Sequence, residues 1–271
     1  MVRLQGKEMK DWDPKTGAIL RRLDGKGILM VGDSWTQGEF EAYNHGAQSH
    51  VVVHRGLSQY LMDDGHRVHN RGIPASSNSE SYWQTYASFG LPTEATHYPK
   101  PINDPIDYVI WFTSDPLRDI QQDEYTRRLK ETGSIRQVMI DITEHWYEQF
   151  NNLSDTIGLP IYLIGGWTPV WEGIAKYKNL QSLIPCVHNL LVPGSDISFT
   201  HAAMHLYPHV RESGWFSDAV KQEIIELVDE WTYSEDVRKA HPDLFFPDWE
   251  HPNRLGHYKI YETVKEKLGL T

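Results

Sequence analysis

Three residues of this 271-residue chain have the types and settings for nucleophilic acyl chemistry. Ser34 stands in Gly32-Asp33-Ser34-Trp35-Thr36, directly after the apolar run Ile28-Leu29-Met30-Val31. Asp248 and His251 stand in Pro247-Asp248-Trp249-Glu250-His251-Pro252-Asn253, just ahead of the last helical pattern. A serine hydroxyl is a weak nucleophile until a base takes its proton, and an imidazole base needs an acid to hold its tautomer. A spacing of three in a tight turn brings Asp248 and His251 to one side. Pro252 suits a first helical position and biases His251 toward extended dihedrals. Taken alone, Ser34 could cap a helix and His251 could be a surface side chain. Together they read as nucleophile, base and acid.

The other reactive side chains offer less. Cys186 is the single cysteine, so neither an intrachain disulfide nor a cysteine-based zinc cluster can form. In Leu183-Ile184-Pro185-Cys186-Val187 it reads as buried and inert. Among the 14 histidines, His201, His205 and His209 recur at steps of four, as do His50 and His54. No Glu follows His201 as it would in a helical zinc motif, and Pro208 interrupts the run. A polar insertion is the expectation there, and no metal or cofactor is called for.

The elements that must position these residues alternate. Ile28–Val31 has the profile of a central strand buried on both faces. A helix is expected over about 47–64, then short strands at 67–70 and 106–112. Ile135, Val138, Met139, Ile142, Trp146, Phe150 and Leu153 recur at helical steps and predict a long helix over 134–157. A fourth strand is expected at 160–164, and a weak fifth at 183–191, where Pro185 intrudes. Helices over 217–231 and 253–268 close the pattern. Alternation of this kind implies an α/β fold with a mostly parallel sheet of about five strands, its site at the strands' carboxyl ends. Residues 1–26 read as a lead-in segment and 27–271 as one domain.

Three blocks resemble the SGNH (GDSL-like) hydrolase family. Gly32-Asp33-Ser34 resembles its first block, Asn70-Arg71-Gly72-Ile73-Pro74 its second, and Asp248-Trp249-Glu250-His251-Pro252 its Asp-x-x-His-Pro block. The resemblance implies a three-layer α/β/α, flavodoxin-like fold and ester hydrolysis by a Ser34–His251–Asp248 triad. It also implies that the Ser34 and Gly72 amides stabilise the oxyanion. The family's Gly-x-Asn-Asp block is replaced by Phe112-Thr113-Ser114-Asp115, which sets Ser114 where an asparagine would donate to that oxyanion. Three consequences stay open: Ser114 substitutes, another residue donates, or activity is reduced.

The balance of 26 basic against 37 acidic residues gives −11, opposite to that of a binder that neutralises phosphates. Nucleic acid is therefore not an expected partner, and the resemblance implies a small acyl ester instead. Ten Trp and 14 Tyr, among them Trp35, Tyr82, Trp83, Trp167, Trp171 and Trp249, suit a carbohydrate rim. Segments at about 90–105 and 166–216 are expected to wall the site. Removal of a small acyl group, such as acetyl, from a carbohydrate is the leading expectation. A lipase or thioesterase of the same family and a non-catalytic glycan-binding module are the alternatives. No apolar run reaches the roughly 20 residues of a membrane span. No apolar leader is readable, so a cytoplasmic setting is expected, with carriage on a virus particle or another route of export left open.

Overall fold

The computed structural model describes residues 25–40, 52–93, 98, 100–166, 168–195, 197–198, 217–245 and 251–270. The chain's strongest apolar run forms β1 (Gly27–Val31), and all five of its residues are buried. A strand without a solvent face must lie inside a sheet. It pairs in parallel with β4 (Arg67–Asn70) on one side and β5 (Tyr108–Thr113) on the other. Beyond β5 lie β6 (Ile161–Gly165) and β7 (Leu180–Ile184), so the sheet runs β4-β1-β5-β6-β7 with every pairing parallel. A separate two-stranded ribbon joins β2 (Glu39–Phe40) to β3 (Val52–His54). In the main sheet the chain reverses its direction of travel between β1 and β5. That switch point opens a crevice at their carboxyl ends.

Alternating side chains of the sheet feed two cores. Ile28, Met30, Ile110 and Phe112 face α2 (Gly56–Asp63), α6 (Val187–Leu191) and α8 (Arg254–Leu268), through Leu57, Leu61, Val187, Leu191, Ile260 and Val264. Leu29, Val31, Val109 and Trp111 face α5 (Ile135–Ile157), where Trp111 stacks on Phe150 at 3.9 Å between ring centres. The period-two strand pattern thus becomes a three-layer α/β/α sandwich, as expected. A third cluster joins α4 (Gln122–Thr132) to the first half of α5 and to α7 (Asp218–Lys239) through Leu129, Val138, Val220 and Leu227.

Several expectations need correction. The helix expected over 47–64 is only α2; Val52–His54 is a strand, and residues 41–51 lie outside the described residues. The fifth strand ends at Ile184 instead of starting near it, because Pro185 closes the strand and α6 takes up 187–191. Within the expected wall at 166–216, β7 and α6 are therefore parts of the α/β frame. The helix expected to end at 231 continues to Lys239. Pro252 precedes α8 rather than opening it, and Asn253 is the cap.

Two helices carried no apolar signal. One is α3 (Asn78–Ser88), whose buried face is Ser81, Gln84, Thr85, Ala87 and Ser88. It is held by its ends: Ser77 caps the Glu80 amide, and the Asp119 carboxylate accepts from the Asn78 and Ser79 amides. The other is α4, in which Tyr125 and Leu129 are the buried apolar side chains, both in the third cluster.

Candidate active site

The loop leaving β1 turns at once into α1 (Ser34–Gln37). Asp33 makes that turn possible by accepting the Trp35 amide at 3.0 Å, the usual device of a capping aspartate. Gly32 has φ +145, and a Cβ there would lie 2.7 Å from the Phe112 Cβ, so only glycine fits between β1 and β5. Ser34 emerges at the carboxyl end of β1, beside the switch point, and is almost fully buried. Among the described residues its amide donates to no acceptor.

His251 arrives from the far end of the chain. Ser34 Oγ and His251 Nε2 are 2.7 Å apart, a hydrogen bond across 217 positions. The His251 ring is packed edge-on against Phe40 at 5.3 Å and lies 5.9 Å from Trp35. Its backbone is fixed by the Phe245–Pro252 bridge and by Asn253. The Asn253 side chain caps α8 through the Leu255 and Gly256 amides and donates to the Asp243 carbonyl at 2.9 Å. Asp248, the expected acid, lies outside the described residues, as do Trp167, Trp249 and the histidines 201, 205 and 209. Among the described residues no cluster of His, Cys, Asp and Glu could hold a metal ion.

Gly72 and Ser114 both reach the crevice but are engaged within the protein. The Gly72 amide donates to Asn70 Oδ1 at 3.0 Å, and its carbonyl accepts from Gln37 Nε2. A Cβ on Gly72 would lie 2.7 Å from Thr36 Cβ, so the loop after β4 presses on α1 at a point where a side chain has no room. The Ser114 hydroxyl lies 2.8 Å from the Ser76 carbonyl and 3.2 Å from Asp33 Oδ2, and it accepts from Arg118 Nη1 at 3.1 Å. A hydroxyl has one proton to give, and here acceptors of the protein take it. Asn78 clamps the Ser114 backbone from both sides, accepting its amide and donating to its carbonyl. Of the three consequences left open for Ser114, a hydroxyl free to donate to an oxyanion is not the arrangement found.

Two carboxylates are buried beneath Ser34. Burial raises the pKa of Asp33, and the Arg118 guanidinium, 3.1 Å away, opposes the shift most strongly. Burial pushes Asp115 up to about 7, against the Leu117 amide bond and the Arg118 charge. On the other side of the site, burial holds the His257 imidazole down at about 3, which keeps it neutral beside the base. Cys186 is buried and its thiol is pushed up to about 11, the inert core residue expected.

Sequence reasoning missed Arg118, Asn78, Ser76 and Asn253. Only Asn253 carried a signal, because an asparagine just before a helical run is a capping pattern. Arg118 meets Asp33 across 85 positions, and no local pattern announces such a pair. A cleft of about 440 Å³ opens beside the turn that carries Arg118, with Trp146, His145, Arg128 and Asp123 on its walls.

No family model matches the chain, and no curated protein matches it. Among solved structures it is similar to an alpha/beta hydrolase enzyme from the metagenome of Lake Arreo (14% identity, 90% of this chain and 95% of that one, TM-score 0.41). It is also similar to a catalytic mutant of an acetylxylan esterase from Geobacillus stearothermophilus (15%, 91% and 95%, 0.39). A third is a carbohydrate acetylesterase from Sinorhizobium meliloti (12%, 90% and 98%, 0.39). Likeness at this level does not say which residues act or on what.

Proposed function

We propose that this chain is an SGNH-type serine esterase that removes a small acyl group, such as acetyl, from a carbohydrate. The observation that carries the reading is the 2.7 Å contact between Ser34 Oγ and His251 Nε2 at the carboxyl end of the central strand. Ser34 Oγ attacks the ester carbonyl carbon while His251 Nε2 takes the hydroxyl proton. Asp248 holds the tautomer that leaves Nε2 free to do so. The tetrahedral intermediate then collapses, and His251 returns the proton to the leaving alcohol. A water activated by the same imidazole releases the acid and restores Ser34.

The developing oxyanion needs donors at about 2.7–3.1 Å. The Ser34 amide is the first candidate. The Gly72 amide is the second, once it turns from Asn70 Oδ1 or is shared with it. The carbohydrate part of the reading is supported by the exposed Trp83 on α3 and by the Trp146 cleft.

A second reading, a non-catalytic glycan-binding module, is favoured by the Ser114 hydroxyl and Gly72 amide both being engaged internally. Hydrolysis of p-nitrophenyl acetate by the wild type and by Ser34→Ala separates the two, together with labelling by a fluorophosphonate probe. The esterase reading expects turnover and labelling that both vanish in the variant. A wild type that neither hydrolyses nor labels would overturn it.

A further inference from the structure

One guanidinium nitrogen joins the three loops that build the crevice. Arg118 Nη1 lies 3.1 Å from Asp33 Oδ2, 3.1 Å from Ser114 Oγ and 3.5 Å from the Ser76 carbonyl. These partners follow β1, β5 and β4 respectively. Asp33 is completely buried and immediately precedes Ser34, whereas the Arg118 side chain remains 29% exposed. An ionised carboxylate in that position opposes any negative charge that grows on a carbonyl oxygen held at Ser34. In a low-dielectric site such opposition is worth far more than in water. The guanidinium removes it by making the pair neutral. It also occupies the neighbourhood in which the expected asparagine donor is missing, with Ser114 bonded to it.

Building on the esterase reading, we propose that Arg118 is a positioning residue of the reaction: it neutralises Asp33 beneath the nucleophile and locks the three crevice loops, so that an oxyanion can form at Ser34. Charge compensation, rather than a shape that a neutral side chain could fill, is what the site requires of it. Removing Arg118 alone then leaves a buried, uncompensated carboxylate, the costly half of a broken ion pair. Removing both charges leaves a neutral and still capped turn, because an asparagine at 33 retains the acceptor for the Trp35 amide.

The test uses the full chain and p-nitrophenyl acetate, with wild type and Ser34→Ala measured alongside. Arg118→Met should lower kcat by about 10–100-fold while KM changes by less than about threefold. Arg118→Met combined with Asp33→Asn should recover at least about tenfold of that loss. Arg118→Lys, which keeps the charge, should stay within about fivefold of wild type. A double variant that folds, by its thermal transition, yet is as slow as Arg118→Met overturns the proposal and leaves Arg118 a loop fastener. So does an Arg118→Met enzyme with unaltered kcat. If Arg118→Met gives no folded protein, Arg118→Lys decides: a loss beyond about a hundredfold in a normally melting protein overturns it. A wild type without turnover or phosphonate labelling removes the esterase reading itself, and this inference falls with it.

Discussion

The two halves of the site are built in opposite ways. Around Ser34, three loops are cross-bonded by buried and half-buried polar groups: Asn70 to the Thr36 carbonyl, Ser76 Oγ to the Gly32 carbonyl, Asn78 to both backbone groups of Ser114, and Arg118 to Asp33. Around His251, the described contacts include aromatic faces, one bridge and the Asn253 side chain. Polar bonds fix the surroundings of Ser34, whereas aromatic faces pack the ring of His251. The first half should tolerate the loss of any single neutral hydrogen bond in rate terms. The second should respond to each change in its fastening.

The largest effect should come from Asp248, the acid of the proposed triad. Asp248→Asn is expected to keep the fold and lower kcat by about 10⁴-fold, because an amide no longer holds the useful tautomer or steadies the imidazolium. Steady-state hydrolysis of p-nitrophenyl acetate, with thermal melting as the control, measures it. Near-normal turnover would assign the role to another group.

Next in size is a pH effect on stability in the Ser34 half. Asp115 has its folded pKa raised from 3.8 to about 7 by burial. The folded state therefore holds a proton that the unfolded chain has released over that window. This contribution is full below about pH 4, declines as pH rises toward 7, and is flat above. Urea unfolding at pH 5 and pH 8 should show the wild type less stable at pH 8, by a few kcal/mol at most. Asp115→Asn should flatten that slope, and an unchanged slope would assign the titration elsewhere.

Asn253→Ala comes third. Loss of the cap should cost about 1 kcal/mol of stability. Because the same side chain pins the loop before it, kcat should fall several-fold with KM unmoved, a coupling that a mere cap would not show. Differential scanning calorimetry and the ester assay together test it.

Ser114→Ala should give the smallest change in rate, less than about threefold, since its proton is already spent on acceptors of the protein. It should still cost about 1–3 kcal/mol of stability, because it strips a partner from the buried Ser76 carbonyl and from Arg118. A hundredfold loss in kcat would instead put its hydroxyl on the oxyanion, and the contrast between the halves would fail.

What the sequence disclosed follows the same division. Apolar runs and stripes are local, so β1, β5, β6, α5 and the approach to α8 could be read within a few residues of their observed limits. The strand before Ser34 was legible for that reason, whereas the pairing of Ser34 with His251 was legible from the Gly-Asp-Ser and Asp-x-x-His-Pro blocks. By contrast, α3 was hidden because its buried face is serine, threonine and glutamine, stabilised by Asp119 from 40 positions away. Pro185 was misread because a proline says that a strand is interrupted without saying on which side. The Arg118–Asp33 pair and the engagement of Ser114 depend on how loops from three strands meet, which periodicity does not encode.

The 217-residue separation of Ser34 from His251 has a consequence for biosynthesis. Chains are made from the amino end, and contacts so distant in sequence are slow to close. Ser34, β1 and the β4 loop leave the ribosome long before the histidine does, so a nascent or truncated chain carries a serine without its base. On the proposed esterase reading, competence waits until α8 has docked on α2 and His251 has reached the Ser34 hydroxyl. On that reading, activity would report that the first strand and the last helix have found each other, and a co-translational assay with the phosphonate probe should see labelling begin only at that moment.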